Sequence, residues 1–437
     1  MMAGGLAPLL KWEGCEKLSI TSVPSPRTLA EAVVSSGFEY IALFESGGGL
    51  QHRSRYSIVA YGASKTIAHT APNGSYEALD GVAGECESLP CRNPALFMVS
   101  YEAVGDAEPW LSPKLGRHEW PVVAAFNPEK IVVYDHAAGR VVSCPPSAAS
   151  APTVRGVPAF RLRGVEYSTP RGDFEYWVSR VLEELARGEA FQVVISRVEV
   201  LSFSGSLFDA YKRLASINPS PYMFYLKMGE LESMGSSPEL LVKLDAGRLE
   251  THPIAGTRPR GHGVRDVELE ESMLSDEKEI AEHVMLVDLA RNDLASIAVP
   301  GSVRVTSFMD VEKYAFVQHI VSRVEAEARP GLTFSEALRA MMPAGTVSGA
   351  PKPRAMEIIA SLEDKPRGPY AGAVGIAGRR AGEAAIVIRS GWTVGEGLLE
   401  IRAGAGIVYD SKPDREFAET EHKLRALREA LGGGRDA

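Results

Sequence analysis

Short apolar runs punctuated by glycine, serine and proline recur along this chain, and helical segments fall between them without a regular beat. A parallel α/β fold needs strand and crossover helix in steady alternation. The irregular interleaving points instead to an α+β chain, two-lobed, with large antiparallel sheets packed together and helices outside. YIALFES, YSIVAYGA, ALFMVSY and KIVVYDH read as strands within residues 1–145. Further strands are expected at 222–228, 240–244, 249–254, 371–377, 384–390 and 398–403. Helices are expected at 173–188, with Asp173 as N-cap and Gly188 as C-cap, and at 206–215, 277–291, 333–342, 353–361 and 414–430. The Pro-, Ser- and Ala-rich stretch 143–158 has no period and reads as a linker. It divides an N-terminal lobe, 1–150, from a second region, 165–430.

A chain of 437 residues is too long for one simple core. Its net charge of −9 excludes nucleic acid as an expected partner, because a phosphate-binding surface carries a basic excess. Cys15, Cys86, Cys91 and Cys144 show no CxxC spacing, so neither a zinc site nor a disulfide framework is expected, and a reducing compartment fits. The absence of a signal-like N-terminus and of a long apolar run leads to the expectation of a cytoplasmic protein with no membrane partner.

The chemistry concentrates in two places. PIAGTRPRG (253–261) is read as a glycine-rich turn exposing Thr257, Arg258 and Arg260, which suits a small anion. It is followed by DEKEIAEHVMLVDLARNDLA, a helix on which Glu279 and Glu282 share a face. The spacing recurs at Glu416 and Glu419. Magnesium is usually held by one or two carboxylates completed by substrate oxygens, so two acidic helix faces beside an anion-gripping turn suit a divalent cation bridging protein and a carboxylate-bearing substrate. Taken alone, the spacing of the same glutamates reads rather as a solvated face paired with Lys278, Arg415 and Lys423.

AGTVSGAPKPRAMEII and IRAGAGIVYDS are read as two more glycine-rich turns. His319 falls on one face of an alternating run, as a proton carrier or a structural histidine. Tyr370 and Arg389 sit at strand ends, where Arg389 could grip a carboxylate.

Taken together, GSSPE, PIAGTRPRG, DEKEIAEHVMLVDLARNDLA, HIVSRVEAE, PAGTVSGAPKPRAMEII, GPYAGAVG, VIRSG and AGAGIVYDSKPDREFAET resemble, in order, the motifs of the chorismate-utilising enzyme family, and within it the members that form anthranilate. The resemblance covers about 170–430 closely and the N-terminal third more loosely. It implies magnesium as cofactor, with Glu282 and Glu419 as ligands and Glu279 and Glu416 behind them. Gly256, Thr257, Tyr370, Arg389, Gly404, Ala405 and Gly406 fall where the family contacts chorismate and its products. By the same resemblance Glu239 is the acid that assists departure of the ring hydroxyl, and His319 and Thr346 serve ring chemistry and pyruvate loss.

Two positions separate sister activities within that family. Water-adding relatives carry a lysine where this chain has Gln192, and many aminodeoxychorismate synthases carry a nucleophilic lysine where it has Ala255. Ammonia is the nucleophile left. The chain has no glutamine amidotransferase signature, so a separate glutaminase subunit is expected to supply it in a hetero-oligomer, a heterotetramer by family habit.

LFES (43–46) and NPSPYMFYL (218–226) resemble the elements that enclose tryptophan in feedback-inhibited relatives, which would involve Glu45, Ser46, Pro219, Pro221, Tyr222 and Met223. The alternatives kept open are an aminodeoxychorismate synthase component and a non-catalytic tryptophan-sensing subunit.

Overall fold

The computed structural model describes residues 14–47, 55–71, 73–150, 156–314 and 317–432. Two antiparallel sheets, of twelve and ten strands, dominate it. The larger begins at Glu16–Ser19 and runs through Arg140–Cys144, Lys130–Asp135, Tyr56–Tyr61, Tyr40–Glu45, Tyr222–Met228, Leu231–Ser237, Ser390–Thr393 and Leu398–Ile407 to Gln192–Ser204. Arg161–Ser168 and Gly349–Ala350 also pair with that last strand. The smaller runs from Ile254–Pro259 through Val317–Glu327, Arg248–Thr251, Leu240–Asp245, Gly382–Ile386, Ala373–Ala377, Ala95–Val99 and Val123–Asn127 to Lys65–His69, and Arg304–Lys313 adds to Val317–Glu327.

Period-two alternation sets which sheet face goes where. On Tyr40–Glu45, Ala42 packs into the core between the sheets, while Ile41 and Leu43 face the other way, onto the helices Pro26–Ser35 and Leu207–Ile217. Tyr222–Met228 repeats this with Phe224 and Leu226 inward and Met223 and Tyr225 outward. A third apolar cluster lies under the helices Arg171–Ala186 and Lys352–Leu362, against Val193, Ile195, Ala405 and Ile407. Each helix thus buries one stripe on a sheet.

The α+β reading is what the chain adopts. The 1–150 and 165–430 segments do not form a sheet each: Tyr40–Glu45 pairs with Tyr222–Met228 in the larger sheet, and Ala95–Val99 with Ala373–Ala377 in the smaller. The helix at 173–188 starts earlier than expected, at Arg171 after an N-cap at Pro170, so Asp173 lies inside the first turn; Gly188 does take the left-handed conformation that ends it. Between PIAGTRPRG and the glutamate-bearing helix lies a further helix, Val264–Leu274.

The cysteines correct the sequence reading outright. Cys15 is bonded to Cys144 and Cys86 to Cys91. The first pair forms because Glu16–Ser19 lies against Arg140–Cys144 with Glu16 opposite Ser143, which leaves the two Cα atoms 4.6 Å apart. Spacing along the chain cannot show a proximity that strand pairing creates. Among the described residues no helix is long and apolar enough to cross a membrane.

Candidate active site

The helix Glu277–Ala295 starts at Asp276, whose side chain accepts from the Lys278 and Glu279 amides. His283, Leu286, Val287, Ala290 and Leu294 bury its inner face, and Glu279 and Glu282 extend that face toward the N-terminus. A second helix, Pro413–Ala430, packs on Leu398–Ile407 through Leu424 and Leu427, with Glu416 and Thr420 also buried. Glu282 is pushed upward from the usual carboxylate range by burial and by the charges of Glu279 and Glu419, against a bond from Gln192. Glu416 is raised by burial and by Glu419, opposed by Ser411. The four glutamates of the two helices therefore share one neighbourhood and repel one another. No group of three or more His, Cys, Asp and Glu side chains converges at metal-ligand distance among the described residues. An ion held by two carboxylates and completed by substrate oxygens and water needs no such group, so an oxygen-only, charge-crowded site fits magnesium.

The first helix packs on Ile254–Pro259 and Val317–Glu327, the second on Leu398–Ile407. Gly404 and Gly406 sit within the strand Leu398–Ile407, a correction to their reading as a turn. They point to the same face, and both lie close under neighbours: a Cβ at Gly404 would come 2.5 Å from the Tyr370 hydroxyl and 2.9 Å from the Ile195 carbonyl, and one at Gly406 2.6 Å from Gln192 Nε2, whose side chain would have to move. The intervening Ala405 turns its methyl to the opposite side, into the cluster with Phe174 and Trp177, so only its backbone can line the cleft. Gln192 Nε2 donates to Glu282 Oε1 at 2.7 Å. Lys423 bonds the Gly404 carbonyl at 2.8 Å and Glu419 at 2.7 Å, which puts a cation beside the cleft that the sequence had offered only as a surface partner.

PIAGTRPRG is likewise a strand, Ile254–Pro259, with a bulge between Ala255 and Arg258 and Gly256 at positive φ. Its arginines are not free for an anion: Arg258 pairs with Glu279 and Asp276, and Arg260 with Asp266. The bulge instead presents the Gly256 carbonyl and Thr257 hydroxyl to His319 Nδ1, at 2.9 and 3.0 Å. A carbonyl can only accept, so Nδ1 carries the proton and Nε2 keeps its lone pair. Nε2 is buried and has no hydrogen-bond partner among the described residues. Burial, with help from Arg389 and Lys423, lowers the His319 pKa to about 3, so the ring is neutral at pH 7.

Glu239 behaves in the opposite sense. Burial lifts its pKa to about 8 against the pull of Thr346, the Ile254 amide, Arg389 and Lys423, so it is mostly protonated near neutral pH. The Thr346 hydroxyl is buried beside the Glu239 carboxyl, where it opposes that rise. Arg389 adopts positive φ, and burial lowers its pKa. Its charge acts on both Glu239 and His319. Arg389 thus couples Glu239, with Thr346 beside it, to His319 on Gly256 and Thr257, while Gly404 lies against Tyr370 and Gly406 against Gln192 and Glu282. Ala255 is buried in the strand beside Gly256.

The second set of sequence candidates lies elsewhere. Met223 is paired with Glu45 across neighbouring strands, and the Gly47 amide bonds the Ser220 carbonyl at 2.8 Å, so the LFES and NPSPYMFYL segments adjoin. Met223 is buried. Glu45 is already engaged, at 2.8 Å by Arg27 and at 2.7 Å by the Tyr211 hydroxyl.

Comparison with known proteins agrees with this geometry. The chain matches the chorismate binding enzyme family over residues 39–429. It is 59% identical to anthranilate synthase component 1 of Aeropyrum pernix over 97% of this chain and 98% of that protein. To the protein of the same name from Saccharolobus solfataricus it is 44% identical, over 91% and 95%. The crystal structure of anthranilate synthase component I from Streptococcus pneumoniae superposes with a TM-score of 0.73 at 31% identity, covering 86% of this chain and 92% of that one. A paired-sheet fold, a cleft of this composition and a family match across both sheets lead to one conclusion: the chain belongs to the chorismate binding enzyme family.

Proposed function

We propose that the chain is the synthase component of an anthranilate synthase, converting chorismate and ammonia to anthranilate, pyruvate and water. The observation that carries this reading is the opposed pair in the cleft, a protonated Glu239 and a neutral His319 with its Nε2 lone pair open, both under the field of Arg389. Two titratable groups driven apart in this way suit an acid and a base working in one site. Glu239 gives its proton to the departing ring hydroxyl, which leaves as water while ammonia adds at C2, and the new ammonium returns a proton to the Glu239 carboxylate. His319 Nε2 then takes the C2 proton as the enolpyruvyl C–O bond breaks; the released enol becomes pyruvate and the ring becomes aromatic. Arg389 holds the enolpyruvyl carboxylate, and the glycines at 404 and 406 let Tyr370 and Gln192 close onto the strand beside it.

Magnesium, held by Glu282 and Glu419 with Glu279 and Glu416 behind them, would neutralise the ring carboxylate and draw electrons from the ring. Gln192 is tied to Glu282 and is no base, and Ala255 offers no amine, which favours ammonia over water or a covalent lysine intermediate. We assign the ammonia supply to a separate glutamine amidotransferase subunit. Tryptophan is assigned to the junction of the LFES and NPSPYMFYL segments, as an inhibitor. The test is product chromatography after incubating the purified chain with chorismate, ammonium and magnesium. Anthranilate as main product supports the assignment; isochorismate overturns it, and an aminated product that retains the pyruvyl group would make it an aminodeoxychorismate synthase.

A further inference from the structure

Glu102, in the N-terminal third, belongs to no motif of the cleft, yet it is buried and aimed at the turn that carries Tyr370. Its Oε1 accepts from the Arg367 amide at 2.9 Å and from the Gly368 amide at 3.1 Å. The Tyr101 amide returns a bond to the Gly368 carbonyl at 2.7 Å, so the two segments are stitched in both directions. Gly368 has positive φ, and a Cβ there would fall 2.6 Å from the His118 ring, a second close approach from the N-terminal third.

The Arg367 side chain extends from this turn into the interior. Its Nη1 donates to the Val347 carbonyl at 2.8 Å, and Nη2 donates to the Val194 carbonyl at 2.7 Å and to Glu363 Oε1 at 2.6 Å. Nε completes the fork on Glu363 Oε2 at 3.0 Å. Glu363 Oε1 in turn receives the Ser196 amide. Val347 follows Thr346, Val194 is the strand partner of Gly406, and the Tyr370 amide bonds the Arg367 carbonyl. One buried guanidinium thus touches the backbone beside two walls of the cleft, and the carbonyl of the same residue holds the third, at Tyr370.

We propose that Glu102 and Arg367 are positioning residues, which together hold the Tyr370, Thr346 and Gly406 walls in register for the substrate. This rests on the reading of the cleft as the chorismate site. Planar, multiply bonded guanidinium fixes directions that an ammonium cannot, and small displacements at a reacting centre cost rate steeply. Glu102 holds the turn through an acceptor oxygen, which glutamine also carries and alanine does not.

Three variants test this: Glu102→Gln, Glu102→Ala and Arg367→Lys. At saturating chorismate, Glu102→Ala and Arg367→Lys are expected to lower kcat roughly tenfold or more. Glu102→Gln should stay within about twofold of the parent, because its amide oxygen still accepts both backbone bonds. Hydrogen exchange should speed up over 344–350 and 366–371 in Glu102→Ala and Arg367→Lys and not in Glu102→Gln. If Glu102→Ala does not fold, Glu102→Asp, whose carboxylate is withdrawn by one methylene, takes its place.

A purely structural role would lower thermal midpoints while leaving kcat and the exchange of those segments unchanged, and that result overturns the proposal. So does a Glu102→Gln variant as impaired as Glu102→Ala. If the parent forms no anthranilate, the functional reading fails by itself, and the exchange comparison still decides the positioning claim.

Discussion

At the scale of single residues, the environment of each group decides its task more than its identity does. A glutamate and a histidine would ordinarily be an anion and a proton carrier near pH 7. Burial reverses this, holding Glu239 protonated and His319 neutral. Activity should therefore fall above about pH 8 as Glu239 ionises, and Glu239→Gln should reduce kcat by about 100-fold or more, checked by a pH–rate profile. Stability carries the same signature. The Glu239 pKa is raised on folding from 4.5, so its contribution is present in full below 4.5 and is lost as pH climbs through about 8. His319 is lowered from 6.5, so its contribution is present above 6.5 and is lost as pH falls toward 3. For the carboxylates, Glu282→Gln and Glu419→Gln should each abolish magnesium-dependent turnover with the fold retained. A magnesium activation curve unchanged from the parent would contradict the assignment.

At the scale of elements, most of the site was legible because it lies on strongly patterned segments. The helices at 277–295 and 413–430 announce themselves by period, and their glutamates by spacing. The glycine-rich stretches misled, because glycine in a strand and glycine in a turn look alike in sequence. At 404–406 the reason for glycine is close approach by Tyr370 and Gln192, which only tertiary structure supplies. Lys423, Glu102 and Arg367 escaped for the same reason: each acts through partners far away in the chain.

The paired strands at Glu45 and Met223 carry the regulatory expectation. With Glu45 already held by Arg27 and Tyr211, a tryptophan ammonium must share that carboxylate rather than find it free. Met223→Thr or Ser46→Ala should relieve tryptophan inhibition, read from inhibition curves. Tryptophan and chorismate should weaken each other's binding by one common factor. Undiminished inhibition in both variants would remove the assignment.

At the scale of the molecule, the two sheets draw strands from both ends of the chain, so the cleft is braced by segments that share no local sequence signal. The disulfides belong to this scale. Cys15–Cys144 closes a separation of 129 residues and Cys86–Cys91 one of 5. In the loop-entropy account the first contributes about 5 kcal/mol and the second about 2 kcal/mol, mainly by restricting the unfolded chain. Cys15→Ser should therefore lower the unfolding midpoint far more than Cys86→Ser, as followed by calorimetry. Equal losses would show that native packing, not chain closure, dominates.

The central claim is that one cleft both adds ammonia to chorismate and expels pyruvate. Its most direct test is to measure anthranilate and pyruvate together in one reaction containing the chain, chorismate, ammonium and magnesium, with no second protein. The account predicts that the two appear at the same rate in a one-to-one ratio. Consumption of chorismate without matching pyruvate would contradict it.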